Sequence, residues 1–306
     1  MESMLLFLFL NLKKMSMKKF WILVIVVVVV FASCSHDQVS PAISAKGDVA
    51  LSLTGSTSDM VVSRSSSSAE LQASTQVGVY ALETSPGSSD VASTIFSNGL
   101  YIAKGSDGAF TTETPFYLLH SSTYKVLAYA PYQKTVADVK AIAFAHGTDV
   151  LYASPADVTI TGSSPSWTAS AVLGFLHKVS QIKFTLVSGV GSPDLTNASL
   201  KVTGFNESCT LNLNDGTFIP VKGAGASITE IGKAICFVPD AANMNLGISV
   251  TTAEGRVYSA TITRTFSAGS SYAYTITLNK NDSSLGVTGT IIDWVNVDGG
   301  NIPIEG

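Results

Sequence analysis

The sequence predicts an all-β protein of antiparallel sheets arranged as β-sandwiches, and three observations carry that expectation. Apolar residues recur with a period of two in many short segments along the 306-residue chain. Turn-forming Gly, Asn, Asp, Ser and Pro separate those segments. Helical periodicity is almost missing, while β-branched residues dominate the periodic runs.

Taken in order, Val49, Leu51 and Leu53 alternate with small or polar residues and predict a first short strand. Val77, Val79 and Ala81 lie on one face of the next. Tyr124, Val126, Ala128 and Ala130 alternate with Lys125, Leu127 and Tyr129. Ile182, Phe184 and Leu186 alternate with Lys183 and Thr185. Leu211 and Leu213 lead into Asn214-Asp215-Gly216-Thr217, a hairpin-type turn from which Phe218 returns. Val257, Ser259, Thr261 and Thr263 continue the pattern, and Tyr272, Tyr274, Ile276 and Leu278 form its cleanest run. Helical signals are poor; the best candidate is Thr135 to Ala145, where Val136, Val139, Ile142 and Phe144 could share a face, but it is short. Ile160 to Ser166 reads as a linker, so the expected domains are 46–168 and 169–306.

The charge balance narrows function. Lys and Arg number 18 and Asp and Glu 22, for a net charge of −4, so the chain has no basic excess with which to bind nucleic acid. Charged residues are only 13% and hydrophobic residues 46%, a composition for a packed core rather than a disordered chain.

Residues 1–33 read as a secretory signal peptide. Lys18 and Lys19 precede an apolar core from Phe20 to Ala32, too short for a transmembrane helix of about 20 residues. Met15 and Met17 are alternative start positions. Phe31-Ala32-Ser33-Cys34 resembles a bacterial lipobox, with Phe31 where Leu is usual. That resemblance implies cleavage before Cys34 and a diacylglycerol on its thiol, with 34–45 as a tether; several buried acyl chains anchor a protein stably where one is marginal. The two remaining cysteines, Cys209 and Cys236, either pair in an oxidising compartment or stand apart as buried thiols.

Nothing in the sequence builds an enzyme, and no cofactor or metal is expected. Gly223-Ala224-Gly225 lacks the third glycine of a dinucleotide fingerprint, and there is no G-x-S-x-G elbow. His36, His120, His146 and His177 stand far apart without ligand spacing, and His177 reads as a satisfied structural residue. Trp167 and Trp294, with Tyr129 and Tyr132, could form a sugar-stacking platform, or else pack within the strands.

Four segments in order resemble the fimbrillin-like family, the subunits of type V pili. They are Tyr124 to Tyr132 (YKVLAYAPY), Phe175 to Leu186 (FLHKVSQIKFTL), Tyr272 to Lys280 (YAYTITLNK), and Ile291-Ile292-Asp293-Trp294 ahead of Asp298-Gly299-Gly300-Asn301-Ile302. The resemblance implies two transthyretin-like β-sandwich domains and export through the periplasm to the outer membrane. It also implies proteolysis after an arginine in the loop following the first strand, and assembly into a pilus by strand addition from the next subunit. Arg64 is the residue at that place in this sequence, followed directly by Ser65 to Ser68. Implied partners are other pilus subunits, the outer membrane through Cys34, and host or bacterial surface ligands. The position in the pilus (shaft, tip or accessory) stays open, as does the donor; Ile291, Val295, Val297, Ile302 and Ile304 either supply it or complete the C-terminal domain. The rival reading is a surface lipoprotein that binds glycans without polymerising.

Overall fold

In the computed structural model the described residues are 48–58, 68–84, 94–105, 107–191, 193–223, 225–280 and 285–292, all within one compact unit, Gly47–Gly306. They contain 21 strands and no helix. The first eleven are β1 (Val49–Ser58), β2 (Ser68–Glu70), β3 (Gln76–Glu83), β4 (Thr94–Ala103), β5 (Phe110–Thr111), β6 (Tyr117–Leu118), β7 (Tyr124–Ala130), β8 (Ile142–Ala145), β9 (Leu151–Asp157), β10 (Thr159–Ser163) and β11 (Ser166–His177). The remainder are β12 (Ser180–Ser188), β13 (Ser199–Thr203), β14 (Ser208–Leu211), β15 (Phe218–Val221), β16 (Ser227–Ile228), β17 (Ala234–Phe237), β18 (Met244–Thr251), β19 (Val257–Arg264), β20 (Ser271–Leu278) and β21 (Leu285–Ile292).

The first sheet runs β2-β1-β11-β9-β7-β3-β4-β5, with β10 on β11 and β6 on β1. It curls back on itself, because the segment that follows β4 bonds to β1: Thr54 bridges Ala109, and Val49 pairs with Leu118. The curled sheet wraps a core that includes Leu51, Leu53, Val79, Tyr101, Val126, Leu173 and Phe175. All these residues follow from period-two alternation, since alternate side chains leave a strand on opposite faces.

Part of the outer face of the same sheet, on β3, β7 and β9, is also buried. Tyr80 and Leu82 of β3, Leu127 and Tyr129 of β7, and Tyr152 of β9 face a second core with Ile142, Phe144, Cys209, Leu211 and Cys236. Its cover is a three-stranded sheet, β15-β14-β8, in which β8 comes from the first half of the chain and β14 and β15 from the second. The two halves therefore complete this second core only together. Edge strand β15 carries Pro220, which supplies no N–H, and exposes Ile219 and Val221.

The third core lies between two four-stranded sheets, β17-β12-β20-β21 and β16-β13-β18-β19. Phe205, Phe237, Phe266 and Tyr272 run through it edge to face, with successive centroids 5.4, 5.1 and 4.9 Å apart. That is the arrangement aromatic quadrupoles favour.

Two sequence expectations need correction. Thr135 to Ala145 forms no helix: an Asx turn at Asp138 (Lys140 N to Asp138 Oδ1, 2.8 Å) leads into β8, which buries Ile142 and Phe144 and exposes Ala143 and Ala145. A spacing of two puts Ile142 and Phe144 on one face of a strand but on opposite sides of a helix, and pairing with β14 fixes the strand. The Ile160–Ser166 stretch is no linker either. It is a hairpin, with Gly162 at φ +120° opposite Trp167 and Thr161 Oγ1 3.0 Å from Thr168 Oγ1. A boundary at 168 falls inside β11, whose residues 169–177 pack in the first core or pair with β1 and β9. The Asn214–Thr217 turn forms as expected, with Gly216 at φ +70° and Asn212 N donating to Thr217 O at 2.9 Å.

Cys209 and Cys236 are buried free thiols in the second core. Burial pushes the Cys209 thiol up to about 12 and raises that of Cys236 as well. A thiolate is the reactive form, so neither should react with an aromatic disulfide reagent at pH 8 in the native protein. Both should react on addition of denaturant, and rapid native labelling would contradict the burial.

His146 follows β8 and lies 5.3 Å from the Phe205 ring, with its pKa lowered chiefly by burial. A folded-state pKa below the unfolded value near 6.5 means that the unfolded chain takes up the proton first. Stability should therefore be fully present above pH 6.5 and fall as pH drops towards 5. In His146→Leu this part of the slope should vanish, measured as urea midpoints between pH 5 and 8.

Candidate functional site

The described residues hold no group of three or more His, Cys, Asp or Glu side chains fit to bind a metal. Instead, the feature set apart by geometry is the seat of β1. This strand lies parallel to β11, with Leu51 opposite Ala169, Leu53 opposite Ala171 and Thr57 opposite Phe175. Along its other edge, Asp48 N donates to Leu118 O (3.0 Å), Leu51 N to Phe116 O (2.9 Å) and Gly55 N to Gly108 O (2.8 Å). At its end, Ser56, Thr57 and Ser58 pair with Glu70, Ala69 and Ser68. Thus β1 is flanked on both edges and is the strand through which the curled sheet closes.

Its inward side chains Val49, Leu51 and Leu53 are 2–3% exposed, while Ala50, Ser52 and Thr54 face solvent. Full burial of one such aliphatic side chain contributes about 1.5–3 kcal/mol. Three together are comparable to the net stability of a typical domain, about 5–15 kcal/mol. Without β1 the core would lose its cover, and two rows of backbone polar groups would lose partners.

Several contacts define the walls of the seat. Phe116 stacks on Phe96 (4.7 Å) and meets Tyr101 edge-on (5.6 Å), and Tyr101 Oη accepts a bond from Phe116 N at 3.4 Å. Where β1 begins, Asp48 Oδ2 lies 2.7 Å from His120 Nδ1, and the His120 ring stacks on Trp167 with centroids 4.7 Å apart. Trp167 is thus partly buried with one ring face taken by histidine. Tyr129 is buried and donates to Asn98 Oδ1 at 2.9 Å, so it is no part of a sugar platform. Cys34, Arg64 and Trp294 lie outside the described residues; Arg64 belongs to segment 59–67, which joins the paired Ser58 and Ser68. His177 is buried with Nδ1 2.7 Å from Asp149 Oδ1, the satisfied structural role expected for it.

Sequence reasoning located β1 but missed its outer wall. Residues 108–118 carry no sustained periodicity and make only the two-residue strands β5 and β6. Two signals were present: Gly108, which adopts φ +65° against Gly55 O, and the aromatics Phe110 and Phe116.

Residues 63–294 match the model of a family described as Fimbrillin-like. Over 222 residues the chain is 27% identical to a Bacteroides uniformis protein named as a fimbrium subunit, Fim1C, covering 63% of this chain and 70% of that one. Two crystal structures of proteins named for cell adhesion share the fold. The first, also from B. uniformis, is 19% identical with a TM-score of 0.60; the second, from Bacteroides ovatus, is 17% identical with a TM-score of 0.61. Each match covers 81% of this chain and 99% of the other.

If the inward residues of β1 hold the seat together, Leu51→Ala should lower unfolding free energy by about 2–5 kcal/mol, whereas the neighbouring Ser52→Ala should change it by less than about 0.5 kcal/mol. Equal effects of the two variants in denaturant titrations would show that the strand is not a core element.

Proposed function

Because the chain belongs to the fimbrillin-like family, we propose that it is a structural subunit of a cell-surface fimbria. It is exported as a lipoprotein on Cys34, and its halves act as two β-sandwich domains joined by the shared second core. Assembly proceeds by exchange of β1 for a strand of a neighbouring subunit, and the fimbria supports adhesion. The observation that carries this reading is the placement of β1: deeply buried, bonded along both edges, and followed within ten residues by segment 59–67 with Arg64. A cut at Arg64 turns β1 from a covalent part of the sheet into a bound strand. Its loss would expose apolar surface and unpaired backbone together, and an added strand repairs both defects.

Digestion of the purified precursor with a trypsin-like protease should cut after Arg64, release residues up to that point, and give oligomer ladders that resist detergent. Arg64→Gln should stay monomeric. Persistent monomer after complete cleavage of the wild type would contradict strand exchange. Separately, Cys34→Ala should abolish incorporation of labelled fatty acid in cells and leave the precursor out of the membrane fraction.

A further inference from the structure

The seat of β1 is uneven. Under Val49, Leu51 and Leu53 it is wide, but at Gly55, the next inward position, it narrows to a pinch. A Cβ built on Gly55 would stand 3.0 Å from Leu173 O, 3.0 Å from the Phe110 ring and 3.2 Å from the Phe175 ring. The two rings lie with centroids 6.3 Å apart, and Phe175 is fully buried. On the edge away from β11 the backbone of Gly108 closes in, its carbonyl accepting from Gly55 N, and a Cβ on Gly108 would lie 2.9 Å from Gly55 O. Gly55 does not need its hydrogen side chain for backbone reasons, since its φ lies outside the left-handed region. Space is the reason.

We propose that the Phe110–Phe175 pinch selects the strand that replaces β1. It accepts a partner with aliphatic side chains at three alternate inward positions and glycine or, at the limit, alanine at the fourth. A slip of two residues in one direction would drive an aliphatic side chain into the pinch, so the same contact fixes register. This inference rests on the strand-exchange reading and adds to it the chemistry of the partner: an apolar strand whose residue at the pinch is glycine or, at the limit, alanine, and no larger side chain.

The probe is a pair of labelled peptides with the sequence of residues 49–58, one natural and one with the Gly55→Val change. Each is offered in excess to the full chain after complete cleavage at Arg64, and uptake is read by native mass spectrometry. The natural peptide should be incorporated at least 10-fold more than the valine peptide. Phe110→Leu, which widens the pinch from its partly buried side, should bring the ratio close to one. Equal uptake of both peptides by the wild type overturns the selection and leaves strand exchange standing. Uptake of neither overturns strand exchange, and the selection with it. An independent reading comes from the uncut chain. Gly55→Val should lower the thermal midpoint far more than Gly55→Ala, and Phe110→Leu should relieve part of the loss; a Gly55→Val chain as stable as wild type removes the pinch altogether.

Discussion

The first half of this protein depends on backbone bonding satisfied from two sides by one strand. β1 meets β11 on one edge and the 108–118 segment on the other, and its aliphatic side chains fill the core those elements enclose. The rest of the sheet pairs antiparallel, through the hairpins β3–β4 and β10–β11 and through β3–β7, β7–β9 and β9–β11, each across intervening strands. Only β1 closes the curl, and it does so in parallel register with a strand more than a hundred residues away in sequence. Parallel pairing cannot be made by a tight turn, so β1 is held by its contacts and not by a short connection. A strand held in this way is integral to the fold although no tight turn ties it in place.

A second constraint ties the halves together. The β8-β14-β15 sheet draws strands from both, and the core beneath it is completed by the outer faces of β3 and β7. Hence β7 is apolar on both faces: Tyr124, Val126, Ala128 and Ala130 line one core, Leu127 and Tyr129 another. A strand buried on two sides loses the polar-out alternation of a half-exposed strand.

This accounts for what could and could not be read from the chain. β1 and β20 were legible because alternation marks them directly, whereas β13 and β18 alternate as well and were not picked out. The Asn214–Thr217 hairpin was legible because its turn needs a glycine with positive φ. β8 was not, since it is only four residues long and Val136, Val139 and Ile142 repeat at a helix-like spacing of three up to it. Nor was the Ile160–Ser166 hairpin, whose Ser, Gly and Pro residues are those of any flexible connection. Of the candidate site, the inserted strand was visible and the wall opposite it was not. Phe110, Phe116 and Gly108 act through long-range packing that leaves no period behind.

Edge strand β15 has a different bearing on a protein meant to join others. A free edge with exposed Ile219 and Val221 invites sideways pairing between sheets. Pro220 between them breaks the row of donors that such a lateral ladder would use. One imino acid in the middle of this rim thus makes lateral clumping through the exposed edge less favourable.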